Sequence, residues 1–135
     1  MTLVSGSKLS PLGDHYSYGV VAGQLLFVSG QLPFLPETGQ FPQGLEAQTC
    51  RSMQNLSTVL AQEEATLEQL VNVPIHIVDV ADWPSVNRVY SEVMIIHRPA
   101  RTIIPCGALI EISGGALIEI SGKAALNQSE QGYCT

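Results

Sequence analysis

Between Tyr16 and Pro33 the apolar residues fall into two short runs rich in Val, Leu, Phe and Tyr, divided at Ala22-Gly23. β-Branched and aromatic residues on both sides of a glycine turn predict a hairpin. Pro33 and Pro36 end the second run, because proline cannot donate to a sheet ladder. PETGQFPQG follows, with turn residues at Glu37-Thr38-Gly39, and predicts a loop. From Leu45 to about Glu64 the apolar step lengthens to three and four residues. Leu45, Thr49, Met53, Leu56, Val59 and Leu60 then share one stripe, with Gln, Arg, Ser and Glu between them. That spacing predicts an amphipathic helix laid on a sheet, with a short helical turn around Leu67–Leu70 after it.

Val71–Val80 alternates again and predicts a strand. Its Pro74 points to an edge position or a bulge. Asp82 can cap a second helix, with Pro84 in the first turn, where a missing N–H matters little. Val86, Val89, Tyr90 and Val93 form that helix's stripe, and His97-Arg98-Pro99 ends it. Arg101–Cys106 predicts another strand. Next, the octapeptide GALIEISG occurs twice, at 107–114 and 115–122. An even period keeps Glu111 and Glu119 on one face if the run is a single strand. Gly114-Gly115 equally permits a tight hairpin. Residues 1–15 lack periodicity and predict an arm, and the polar tail from Asn127 is expected to be loose.

The order β-β-α-β-α-β-β implies an α+β fold: one mixed sheet with both helices on one face. No third helix is left for the other face, so self-association is the economical cover. The length fits one domain spanning 1–135, able to bury about two-thirds of its unfolded surface without a metal or disulfide. Only 13% of residues are charged against 45% hydrophobic, which also suggests a surface buried between subunits. The net charge of −6 argues against nucleic acid, whose backbone needs a basic face. Cys50, Cys106 and Cys134 have no paired spacing, and His15, His76 and His97 are scattered, so no metal site is implied. The N-terminus lacks the pattern of a signal peptide, and no run approaches the ~18 apolar residues of a membrane span. Cytoplasm is the default expectation.

The chemistry concentrates between His97 and Ile120. Arg101 heads an apolar strand, and arginine holds planar carboxylates through paired hydrogen bonds. Glu111 and Glu119 each offer a carboxylate able to orient or deprotonate a water. A small carboxylate-bearing substrate is the expected ligand. Cys106 lies within this stretch, next to the Arg101 strand, but no histidine is placed to activate it, and a packed thiol is the plainer reading.

Several blocks in order carry a resemblance: Tyr16-Ser17, FVSGQLP at 27–33, PETG at 36–39, VNRVY at 86–90, HRPART at 97–102 and a late IEI. Across residues 12–125 the chain resembles the Rid family of reactive intermediate deaminases, formerly called YjgF-type proteins. The resemblance implies a chorismate-mutase-like fold and a homotrimer with clefts between subunits. It implies hydrolysis of enamines or imines of the 2-iminobutanoate and 2-iminopropanoate type to 2-keto acids and ammonia, without metal or cofactor. Carried over by position, Arg101 clamps the substrate carboxylate and Glu119 holds the attacking water. Tyr16 and Gly30 line the cleft, Asn87 adds a polar contact, and the backbone of Ile103 meets the substrate. Glu111 lies closer to Arg101, and Glu119 farther from it, than the family spacing, so the repeat is expected to disturb the closing strand's register. A non-catalytic Rid-like binding or chaperone-type trimer, and a deaminase of a larger acid, are the alternatives. The RNA-cleaving role attached to this family fits the acidic composition poorly.

Overall fold

The computed structural model describes residues 1–6, 9, 15–109 and 115–126. Its strands are β1 (Thr2–Leu3), β2 (Gly19–Ala22), β3 (Leu25–Gln31), β4 (Leu70–Ile77), β5 (Ala100–Pro105) and β6 (Ile118–Ala125). Helix α1 (Leu45–Ala61) lies between β3 and β4, and α2 (Trp83–Met94) between β4 and β5. The predicted order holds, with one short strand added at the start, where Thr2 and Leu3 pair with Val21 and Val20.

The six strands form one sheet in the order β1-β2-β3-β6-β4-β5. Only β4 and β5 are parallel. Parallel strands need a crossover, and α2 supplies it. The β2–β3 hairpin turns at Gly23, whose φ of 63° is open to glycine without strain. The last strand, β6, enters between β3 and β4 and so becomes central.

Alternation assigns the two faces of the sheet. Leu26 and Val28 of β3, Val73, Ile75 and Ile77 of β4, and Ile118, Ile120 and Ala124 of β6 are buried on one face. They join Met53, Leu56 and Leu60 of α1 and Val86, Tyr90 and Met94 of α2 in one core. At Gly122 the approach is so close that a Cβ would meet Leu70 Cδ2 at 2.8 Å and Leu56 Cδ1 at 3.4 Å. Phe27, Lys123, Glu119, His76 and Ile104 alternate with these and project from the other face, which carries no helix among the described residues. Leu25 and Phe27 are exposed there.

Four expectations are corrected. Helix α1 stops at Ala61 rather than near Glu64, because the chain turns off through Glu64 at φ 58° and the Ala65 amide donates back to Leu60 O. Strand β4 is paired on both sides, so Pro74 is not at an edge; the ladder with β6 shifts register between Leu70 and Asn72. Strand β4 also ends at Ile77, before Val80, because Val80–Asp82 form a short 3-10 turn. Asp82 makes no side-chain cap; the Asp79 carboxylate instead accepts from the Ala81 amide and starts that turn. Of the two repeat copies, the second forms β6 from Ile118, whereas Gly107–Leu109 of the first are a bend after β5. The remainder of the first copy, with Glu111, and the tail from Asn127 lie outside the described residues.

Candidate active site

Arg101 stands opposite the buried Val73 in the β4–β5 ladder, so its side chain leaves the sheet on the helix-covered face. Helix α2 presents Trp83, Asn87 and Tyr90 at four- and three-residue steps, which lie along one stripe. The Arg101 guanidinium sits 4.7 Å from the Trp83 ring centroid and 5.0 Å from that of Tyr90. Its Nη1 donates to Asn87 Oδ1 at 3.0 Å. Each cation–π contact is worth about 0.5–1 kcal/mol at an exposed site, enough to bias the side chain toward this position. A groove of about 410 Å³ opens here, with Ser91, His97, Arg98 and Pro99 on its walls. Among the described residues no acidic side chain lines it. Among the described residues the ion pairs all belong to Arg88, with Glu46 and Glu92, so Arg101 carries a charge with no carboxylate against it. Burial raises the Tyr90 phenol above its ordinary range, and Arg101 partly offsets this. Ile103 follows two residues on in β5, the outermost strand, half-buried beside Ile75.

Glu119 belongs to the opposite face. It pairs across the β6–β4 ladder with His76 and is flanked by the core residues Ile118 and Ile120. The carboxylate lies over the backbone of Gly30: a Cβ on residue 30 would fall 2.6 Å from Glu119 Cδ and Oε2. Glycine is thus the residue this contact admits. Half-buried, Glu119 is pushed above the usual carboxylate range by desolvation, and His76 pulls it partly back. The Ser29 amide donates to Tyr18 O at 2.9 Å and the Ser29 hydroxyl to Ser17 O at 2.7 Å. These bonds hold the segment from Tyr16 alongside Ser29-Gly30, with Tyr16 itself 54% exposed.

Two pairs of the expected residues therefore meet, Arg101 with Asn87 and Glu119 with Gly30. Within one chain the two pairs stand on opposite faces of the sheet. Glu119 lies on the open face of β6, opposite His76. Sequence reasoning read Tyr90 only as part of the second helix's apolar stripe and assigned no site role to Trp83 or His76. The i, i+4, i+7 spacing of Trp83, Asn87 and Tyr90 was the available signal for the first two. For His76 there was none, since cross-strand register is not written locally. The Cys106 thiol donates to Ile77 O at 3.4 Å and meets no activating base. No group of three or more His, Cys, Asp or Glu side chains able to hold a metal occurs among the described residues.

No helix among the described residues is long and apolar enough to cross a membrane. A RutC family protein of Pyrococcus abyssi is 35% identical over 100 residues, covering 73% of this chain and 78% of its own. The Arabidopsis thaliana protein named Reactive Intermediate Deaminase A, chloroplastic, is 33% identical over 116 residues, covering 82% of this chain and 62% of its own. That compartment label shows that kinship alone does not assign the cytoplasm. The crystal structure of RidA from an Antarctic Psychrobacter superposes with a TM-score of 0.86 at 25% identity, covering 93% of this chain and all (100%) of that one. Residues 7–126 match the family described as Endoribonuclease L-PSP. With sheet order, helices and sequence in agreement, the chain belongs to that family, whose members include proteins named RutC and reactive intermediate deaminase.

Proposed function

We propose that this protein is a hydrolase of small 2-imino acids, of the 2-iminobutanoate and 2-iminopropanoate type, that acts as a homotrimer. The observation that carries the reading is the pair of half-sites: an arginine without a carboxylate partner, braced by Trp83, Tyr90 and Asn87 on one face, and a half-buried carboxylate over Gly30 on the other. Neither half is complete alone. Packing the open sheet face of one copy against the β5 edge of the next would join them, and would also cover Phe27 and its exposed neighbours.

In such a cleft Arg101 holds the substrate carboxylate bidentately, and the Ile103 backbone fixes its orientation. Tyr16 and Gly30 line the wall. Glu119 takes a proton from a water as the water oxygen bonds to the imine carbon. With the imine nitrogen protonated at the outset, this gives a neutral carbinolamine, which collapses: Glu119 returns its proton to the nitrogen, the C–N bond breaks as ammonia leaves, and the carbinolamine hydroxyl gives its proton back to the carboxylate as the carbonyl of the 2-keto acid forms. A carboxylate raised by burial is the stronger base and suits both transfers. The chain's residues perform each step without a cofactor.

The test is coupled turnover. A threonine dehydratase generates the imine in buffer, and 2-keto acid release is followed with wild type and Arg101→Ala. Wild type is expected to accelerate release, and the variant to lose roughly 10- to 100-fold, the worth of a charge-assisted hydrogen-bond pair. No acceleration by a folded wild-type oligomer overturns the reading. Mixing subunits tests the assembly. Arg101→Ala and Glu119→Gln are each nearly inactive alone. Reassembled together, about a quarter of clefts should regain both groups. Sites built within one chain would recover nothing.

A further inference from the structure

His76 is the titratable side chain closest in the sheet to Glu119, and the hydrolysis above leaves it unused. The antiparallel register sets it directly opposite Glu119 on the neighbouring strand. Ile75 and Ile77 on one strand and Ile118 and Ile120 on the other are core, so both side chains project from the open face. Directly opposed residues in an antiparallel pair hold their Cβ atoms about 5 Å apart.

Among the described residues, the other strand neighbours of Glu119 supply no comparable charge. On its far side, β3 carries no titratable residue from Leu25 to Gln31 and offers only the Gly30 backbone. Beyond β3 lie the phenols of Tyr16 and Tyr18, a group whose ordinary charge change comes near pH ~10. Past His76 the row continues to Ile104 of β5, and the nearest ionisable group there, the Cys106 thiol, is bonded to Ile77 O. Along β6 the next charge is Lys123, roughly 13 Å away at strand spacing. Its ammonium lies over the Phe27 ring, 5.9 Å from the centroid. Among the described residues no helix packs on this face. Imidazole is the side chain whose ordinary charge change falls between pH 5 and 8.

We propose that His76 is a positioning residue for the water-activating carboxylate, facing Glu119 from β4 and governing its charge without touching the substrate. The inference rests on the reading of Glu119 as the base. Burial inclines Glu119 to take up its proton early as pH falls. A positive charge on the imidazole opposite favours the carboxylate form. The pair thereby keeps the base ionised further into mildly acidic conditions than a buried carboxylate alone would manage.

The experiment compares His76→Phe, His76→Gln and His76→Lys in the assembled protein. Imine hydrolysis above the uncatalysed background is measured from pH 5 to 8, and the Glu119 carboxyl carbon is titrated by NMR. In the two neutral variants the ratio of the rate at pH 5.5 to that at pH 8 should fall roughly threefold or more, the factor even a water-screened charge about 5 Å away supplies. Their Glu119 titration should move to higher pH. His76→Lys should return both to the wild-type position or below. Unchanged profiles and an unmoved Glu119 titration in folded variants overturn the proposal. So does an equal loss at every pH, which a merely structural histidine would give. The NMR titration reads the pairing even if wild type hydrolyses no imine, so failure of the deaminase reading is separable from failure of this one.

Discussion

The two copies of GALIEISG are identical letter for letter, yet the structure treats them differently. In the first, Gly107-Ala108-Leu109 leave β5 as a bend, Ala108 is exposed, and nothing lies within 4 Å of a Cβ built on Gly107. In the second, Ala116 is 7% exposed, Ile118 and Ile120 are fully buried, and Gly122 packs under Leu70 and Leu56. The entry to the second copy is gripped by Gln48, itself 4% exposed. Its Oε1 accepts from the Leu117 amide at 2.8 Å, and its Nε2 donates to Gly115 O at 2.9 Å and Pro42 O at 3.2 Å. Beyond that point β6 lies between β3 and β4 and pairs with both. An octapeptide of good strand formers becomes a strand where ladder partners and an apolar cover await it. The lesson is that β-propensity registers fit to neighbours more than an intrinsic preference.

The largest test of this contrast uses one substitution twice. Glu119→Gln should lower kcat for imine hydrolysis by about 10²–10⁴-fold, the range for a general base. Glu111→Gln, the same change in the same pentapeptide, should leave it at the wild-type level. Equal losses would break the comparison. Next, Ile120→Ala should lower stability by about 2–5 kcal/mol in denaturant unfolding, since a fully buried side chain is truncated under α1. Gln48→Ala should follow at about 2–3 kcal/mol, because it removes three hydrogen bonds of a buried side chain, one from the Leu117 amide and two to carbonyls. A loss of only a few tenths would mean that the strand needs no such grip.

The smallest effect is a pH dependence. Burial raises the folded-state proton affinity of Glu119 above that of the unfolded chain. The ionised group therefore opposes folding at every pH above its folded value, and that opposition fades as pH falls through it. Glu119→Gln should be more stable than wild type at pH 7–8, with the advantage gone below about pH 4. Urea midpoints across this range measure it. A constant advantage at all pH values would assign the effect to packing rather than charge.

Much of this fold was legible. The hairpin at Ala22-Gly23, both amphipathic helices and the strand after HRPAR declare themselves through local periodicity and turn chemistry. Where one helix end went astray, a non-glycine residue, Glu64, took a positive φ that no local signal demands. The other departure was a cap, in which Asp79 rather than Asp82 found the amide within reach. For the candidate site, Arg101 and Asn87 stood out by residue type and motif, and they are hydrogen-bonded. The aromatic bracket of Trp83 and Tyr90 was hidden because the same stripe also serves the core.

By itself, then, the sequence determined the elements, their order, the helix stripes and the HRPART block that carries Arg101, since each is written within a few residues. Tertiary structure alone decided which copy of the repeat becomes β6, which glutamate rests over Gly30, that His76 faces it, and that Arg101 and Glu119 take opposite faces of the sheet. Those outcomes depend on which strands pair and in what register. Pairing is a competition among distant segments for the same hydrogen bonds and the same buried face, and two identical octapeptides can differ only in its result.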